Sequence, residues 1–194
     1  MDDLEAVTVS HHLDVFAVTA YFIRQDELQD EPDVTPLKLH KLLYLAQANY
    51  LAATGERLFD EPIEAFDHGP VVYAVTRKFS GRQVIAYTEP TLPDAALPPD
   101  AEEFLERIWV RYKDYSPSAL RALAHRQTPW KEYYEPDAYR SVIPDSAMIE
   151  YFRKDAPSDE RVLHAGVTIV DDGFLDAFDI DATAAQLRSV LDAG

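Results

Sequence analysis

The clearest hydrophobic pattern lies between residues 35 and 55. Thr35 followed by Pro36 is a typical helix start, because threonine caps the first free N–H groups and proline is tolerated in the first turn. Gly55 is well placed to end the helix in the left-handed conformation. Apolar residues lie on most sides of this segment, so we predict a helix at the centre of its domain.

Helical spacing of apolar residues predicts further helices over 13–24, over about 100–113, after Ser116-Pro117 and after Pro144, each with one apolar face. "TPW" at 128–130 should break the third of these. We also predict a helix from Gly69-Pro70 to near Gly81, and a small one over 182–191. "RLF" (57–59), "IEAF" (63–66), 83–89 and 161–170 are candidate short strands. The predicted fold is mainly α: a compact helical domain around a central apolar helix, with minor strands and a C-terminal extension.

The negative charge is concentrated at the two ends of the chain. The net charge of the whole chain is −17, of which residues 1–35 carry −8 and residues 155–194 carry −7. Binding to nucleic-acid phosphates requires a surplus of lysine and arginine, so direct nucleic-acid binding is not expected. An acidic protein attracts basic partners and speeds their encounter, although acidic ends also simply keep a chain soluble. We therefore expect a partner with a basic surface.

Most catalytic and cofactor motifs are missing from the sequence. There is no cysteine, glycine-rich phosphate loop, nucleophile elbow or paired-histidine zinc motif, so we predict no cofactor, no metal and no catalytic residue. The N-terminus lacks a signal-peptide pattern, and no apolar run is long enough to span a bilayer. We expect a cytoplasmic protein. An enzymatic interpretation would have to use Asp67, His68 and His125, and histidines in such turns more often have structural roles.

Aromatic residues give a better indication of function. The stretch "WKEYYEPDAY" (130–139) contains one tryptophan and three tyrosines. Both residue types are enriched at protein interfaces because they bury a large area and keep a polar group, although Trp130 could equally anchor its helix to the core. The candidate partner-contacting residues are Tyr44, Tyr50, Asp67, His68, Trp130, Tyr133 and Tyr134.

Three sequence blocks resemble the Panacea domain family, which is related to the SocA antitoxin. The first is "PLKLHKLLYLAQANYLAATGERLFDEPIEAFDHGPVV" (36–72), the second is "SALRALAHRQTPWKEYYEP" (118–136), and "VIPDSAMIEYF" (142–152) resembles the closing helix. The resemblance covers about residues 13–153. We therefore expect an acidic N-terminal segment over 1–12, a Panacea-like domain over 13–154 and an acidic extension over 155–194.

The resemblance implies an antitoxin that neutralises a cognate toxin by binding it, and that in some cases delivers the toxin to a protease. It implies no catalytic residue. Two alternatives stay open: a small-molecule or hydrolytic enzyme, and an acidic mimic of DNA. The mimic would need negative charge at regular intervals across one face, whereas here the charge lies at the ends of the chain.

Overall fold

A computed structural model describes residues 12–81, 92–93, 96–136 and 140–162. The helices of this described part are α1 (Val15–Glu27), α2 (Pro36–Thr54), α3 (Tyr73–Lys78), α4 (Pro99–Tyr112), α5 (Pro117–Arg126), α6 (Thr128–Tyr133) and α7 (Asp145–Glu150). Helix α7 continues as a π-helix over Tyr151–Asp155. A small antiparallel sheet has strands β1 (Ile63–Phe66), β2 (Gly69–Val72) and β3 (Ser141–Val142) in the order β2-β1-β3. The prediction of a mainly α fold with minor β structure is confirmed.

Helix α2 is the centre of the domain, as its sequence predicted. It packs against α1, α4, α5, α7 and β2, and nearly every one of its residues is buried. The side chain of Thr35 accepts a hydrogen bond from the backbone N–H of Lys38, and Gly55 ends the helix with φ of 78°. Both predicted ends of the helix are therefore confirmed.

Polar side chains of α2 form hydrogen bonds with the backbone of neighbouring segments. The buried Gln47 side chain donates to the carbonyl of Phe59 at 3.0 Å and accepts from the N–H groups of Leu58 and Phe59 at 3.0 and 3.2 Å. Asn49 accepts from the Val162 N–H at 2.7 Å. A buried segment without regular structure needs such partners, because unpaired backbone groups are costly away from water.

The two lysines of the α2 motif are also buried. The Lys38 ammonium donates to Asp33 at 2.6 Å and to the Lys113 carbonyl at 2.5 Å, and so ties the α1–α2 loop to the end of α4. The Lys41 ammonium donates to the Pro70 carbonyl on β2 at 2.7 Å. The lysines of the "PLKLHKL" motif therefore hold elements together and are not exposed to a partner.

The predicted helix from Gly69-Pro70 to Gly81 is wrong in its first part. Gly69–Val72 forms β2, which pairs with β1 in the register Phe66↔Gly69 to Ile63↔Val72, and only Tyr73–Lys78 is helical. Pairing with "IEAF" outweighs the local pattern, and proline is acceptable because β2 is an edge strand. "IEAF" is β1 as predicted, whereas "RLF" contributes only an isolated bridge between Phe59 and Leu13.

The described part of the acidic C-terminal extension packs on the domain. Glu160 and Val162 are buried. The Tyr112 hydroxyl donates to the Glu160 carbonyl at 3.0 Å, and Gln127 donates to the Glu160 carboxylate at 2.6 Å. The packed chain therefore continues at least to Val162. The predicted strand over 83–89, most of the one over 161–170 and the helix over 182–191 lie outside the described residues.

Candidate protein-binding surface

The β1–β2 hairpin presents Asp67 and His68 at its turn. Both residues are exposed, and they connect Phe66 to Gly69, which face each other in the register. Gly69 has φ of 97°, a left-handed backbone conformation that residues with a side chain rarely adopt. The turn lies on the surface while the strands below it are largely buried.

Lys41 packs directly below this turn. A Cβ atom added to Gly69 would lie 2.8 Å from Lys41 Cε and 3.4 Å from His125 Cδ2, so a larger residue here would displace the Lys41 side chain. Burial, followed by the positive charge of Arg121, lowers the pKa of Lys41 to about 7. The hydrogen bond to Pro70 and the glycine contact fix the hairpin relative to α2.

Three stacked rings connect the turn to α5 and α6. The rings of His125 and Trp130 stack with centroids 3.9 Å apart at 7°, and those of Trp130 and Tyr134 with centroids 4.6 Å apart at 15°. The Trp130 indole N–H donates to the Phe66 carbonyl at 2.9 Å, and the Tyr134 hydroxyl donates to the Asp67 carboxylate at 2.9 Å. We call His125, Trp130 and Tyr134 the aromatic stack; it is hydrogen-bonded to the β1 side of the turn, at Phe66 and Asp67.

Five of the seven candidate partner-contacting residues lie at the hairpin turn or on the adjacent α6 segment. Asp67, Trp130 and Tyr134 are in direct contact, His68 follows Asp67 at the turn, and Tyr133 is half-buried at the end of α6. Trp130 packs partly against the core and also forms the centre of the stack.

Tyr44 and Tyr50 lie elsewhere, in the core. Both have no exposed surface; the Tyr44 ring packs edge-on against Phe152 at 6.2 Å and the Tyr50 ring against Phe104 at 5.4 Å. The buried Tyr44 hydroxyl has no hydrogen-bond partner in the described part of the chain, and burial raises its pKa well above the usual value. Their burial excludes both tyrosines from the surface considered below. The helical pattern of α2 already indicated it, because the segment is apolar on most sides.

Asp67, His68 and His125 do not form a hydrogen-bonded catalytic group. The Asp67 carboxylate accepts from Tyr134, and no hydrogen bond joins any two of these three residues within the described structure. Burial is the largest cause that lowers the pKa of His125, followed by the charge of Arg121. His125 Nε2 is buried without a hydrogen-bond partner among the described residues.

His40 also has a structural position. Its Nδ1 accepts from the Val72 N–H at 3.4 Å and its Nε2 lies 3.1 Å from the Thr76 hydroxyl. Burial, followed by the charge of Lys41, lowers the pKa of His40 to about 3, so it is neutral at pH 7. Across the described ranges there is no group of three histidine or acidic side chains arranged to hold a metal ion.

Residues 39–131 match the family model of the SocA-like antitoxins, Panacea domain. The match covers slightly less than half of the chain. The matched region includes most of α2, the hairpin, His125 and Trp130, and it ends shortly before Tyr133 and Tyr134. Searches among curated proteins and among solved structures find no match. None of the described helices combines the length and apolar character needed to cross a membrane.

Proposed function

We propose that this protein is an antitoxin that neutralises a cognate protein toxin by direct, stoichiometric binding. The Panacea domain supports an antitoxin role. The observation that supports binding is the aromatic stack, whose Trp130 and Tyr134 are hydrogen-bonded to the hairpin turn at Phe66 and Asp67. Aromatic residues held in one position before association lose little conformational freedom on binding, which favours affinity.

The proposed contact surface consists of Asp67, His68, Trp130, Tyr133 and Tyr134. Trp130, Tyr134 and Asp67 already form hydrogen bonds within the protein, whereas the half-buried rings still expose area that a toxin can cover. Binding would then bury aromatic area at the centre and leave charged side chains at the rim, the usual arrangement of protein interfaces.

Isothermal titration with the cognate toxin, to be sought among the neighbouring reading frames, tests the surface. We expect Tyr133→Ala to weaken binding by about tenfold to a hundredfold, in the range found for aromatic residues central to an interface. Tyr115→Ala is the matched control, because Tyr115 is an exposed tyrosine whose ring packs edge-on against Tyr112 at the end of α4 and is not part of the proposed surface. Equal affinities for wild type and Tyr133→Ala would reject this surface.

The enzymatic alternative predicts a different result for His68. If the protein acted on the toxin or on a small substrate through His68, His68→Ala would abolish neutralisation and leave the complex intact. We expect instead that His68→Ala reduces neutralisation only to the extent that it reduces affinity for the toxin. The comparison requires growth rescue and titration on the same variants.

Two finer features belong to the same proposal. The acidic ends would attract a toxin with a basic surface, so added salt should slow association, since exposed charges are screened over roughly 10 Å at 0.1 M salt.

The antitoxin would also present its toxin to a protease. Toxin half-life in cells with and without the antitoxin separates the two modes: occlusion alone leaves the half-life unchanged or longer, and delivery shortens it.

A further inference from the structure

An open groove of about 1030 Å³ lies between α4 and the last described residues of the chain. One side is the outer face of α4, where Glu103, Arg107, Val110 and Arg111 follow helical spacing. The other side is formed by the segment that ends at Val162. Residues such as Phe104 and Ile108 occupy the opposite, buried face of the same helix. The groove is therefore on the surface, and the chain leaves the described structure at its edge.

The groove offers one exposed apolar side chain and several cations. Val110 is 60% exposed, whereas Val162, which lines the same groove, is buried. Three arginines line it, Arg107, Arg111 and Arg161, against two carboxylates. Glu103 and Arg107 form an ion pair at 2.6 Å, so the lining residues together carry an excess of one positive charge. A locally positive surface is notable in a chain whose net charge is −17.

The chain continues past the groove with a segment of complementary chemistry. Residues 171–181, "DDGFLDAFDID", carry five aspartates and no basic residue, together with Phe174, Leu175, Phe178 and Ile180. The aspartates are complementary in charge to the arginines that line the groove, and the large apolar side chains can cover the exposed Val110. The segment starts nine residues after Val162, a span of at most roughly 30 Å for an extended chain. A tether of that length gives residues 171–181 an effective concentration at the groove on the order of millimolar.

We propose that residues 171–181 of the same chain bind in this groove, with their aspartates against Arg107 and Arg111 and their apolar side chains on Val110. The inference is independent of toxin binding, because it concerns the α4 face and not the hairpin. It gives the acidic extension a defined partner on its own domain, in place of a general role in solubility.

Paramagnetic relaxation tests this contact in the full-length protein. The chain contains no cysteine, so Ala177→Cys supplies a single site for a nitroxide label. We expect the oxidised label to reduce the Val110 methyl signals several-fold relative to the reduced label. Because the tether alone keeps the label near the groove, the decisive comparison is between charge variants. Arg107→Glu with Arg111→Glu should restore most of the Val110 signal.

The control replaces two exposed cations that do not line the groove, Arg126→Glu with Lys131→Glu, and should leave the Val110 effect unchanged. Adding Asp176→Arg and Asp179→Arg to the Arg107/Arg111 reversals should bring the signal loss back. Equal Val110 signals in the Arg107/Arg111 variant and in the Arg126/Lys131 control would overturn the proposal. So would signal loss that occurs only when labelled and unlabelled proteins are mixed, because the segment would then bind a second copy. Circular dichroism on each variant establishes that it is folded.

Discussion

Replacing Gly69 by alanine tests how the hairpin is held against α2. At φ of 97° an alanine is strained by roughly 1–2 kcal/mol. Its Cβ would also lie 2.8 Å from Lys41 Cε, and relieving such a contact within a packed region costs about 1–3 kcal/mol more. We therefore expect Gly69→Ala to lower the free energy of unfolding by roughly 2–5 kcal/mol.

Gly55→Ala is the matched control. Gly55 also has a left-handed backbone, with φ of 78°, but no atom lies within 4 Å of an added Cβ. Only the backbone strain applies there, so we expect a loss of about 1–2 kcal/mol. Urea unfolding followed by the fluorescence of the two tryptophans measures both variants. Similar losses in the two variants would refute the close packing of Lys41 beneath Gly69.

Three further predictions concern buried polar groups and a surface ion pair. Lys41 has a folded-state pKa of about 7, below its usual value of 10.5, so the unfolded state binds more protons between these limits and stability rises with pH there. The gain should be roughly 2 kcal/mol from pH 7 to pH 9, and Lys41→Met should remove it in urea unfolding at the two pH values. Gln47→Ala leaves two N–H groups and one carbonyl of residues 58–59 without their buried partner, so thermal unfolding should show a loss of about 2–4 kcal/mol. Arg57→Ala breaks a bidentate pair with Asp145 that is about one-third exposed, so the same assay should show a loss of roughly 1 kcal/mol or less.

The helices were largely predictable because their signals are local. The cap at Thr35, the proline at Pro36 and the glycine at Gly55 each act within one turn of α2, and they operate as expected. The break at "TPW" was predicted as well, but not the helix α6 that begins there at Thr128. Strand β3 was missed, because two residues that pair only with β1 leave no periodic pattern.

The arrangement of the candidate surface was less predictable. Its Trp130 lies 64 residues from the Phe66 carbonyl it contacts, and Tyr134 lies 67 residues from Asp67. A single sequence can indicate that aromatic residues favour interfaces, but it does not show which of them point outwards. Tyr44 illustrates the difficulty: its residue type favours a surface, whereas its position on a helix that is apolar on most sides places it in the core.

The burial of the two lysines of the α2 motif was also not predictable from local sequence. A charged residue is ordinarily expected on the surface, yet Lys38 and Lys41 are fully buried, with their ammonium groups donating to backbone carbonyls. Local spacing could not reveal this role, because the acceptors belong to Lys113 and Pro70, far along the chain. The motif is therefore explained by the contacts that hold the fold together and does not require catalysis.

The proposed function requires that neutralisation occurs by binding and not by turnover. The most direct measurement titrates the purified protein against a fixed amount of toxin, far above the dissociation constant, and records residual toxin activity. We expect a linear fall to zero with a sharp end point at a fixed, near-integral molar ratio that does not change with incubation time. Complete neutralisation by a small fraction of an equivalent, progressing with time, would contradict it.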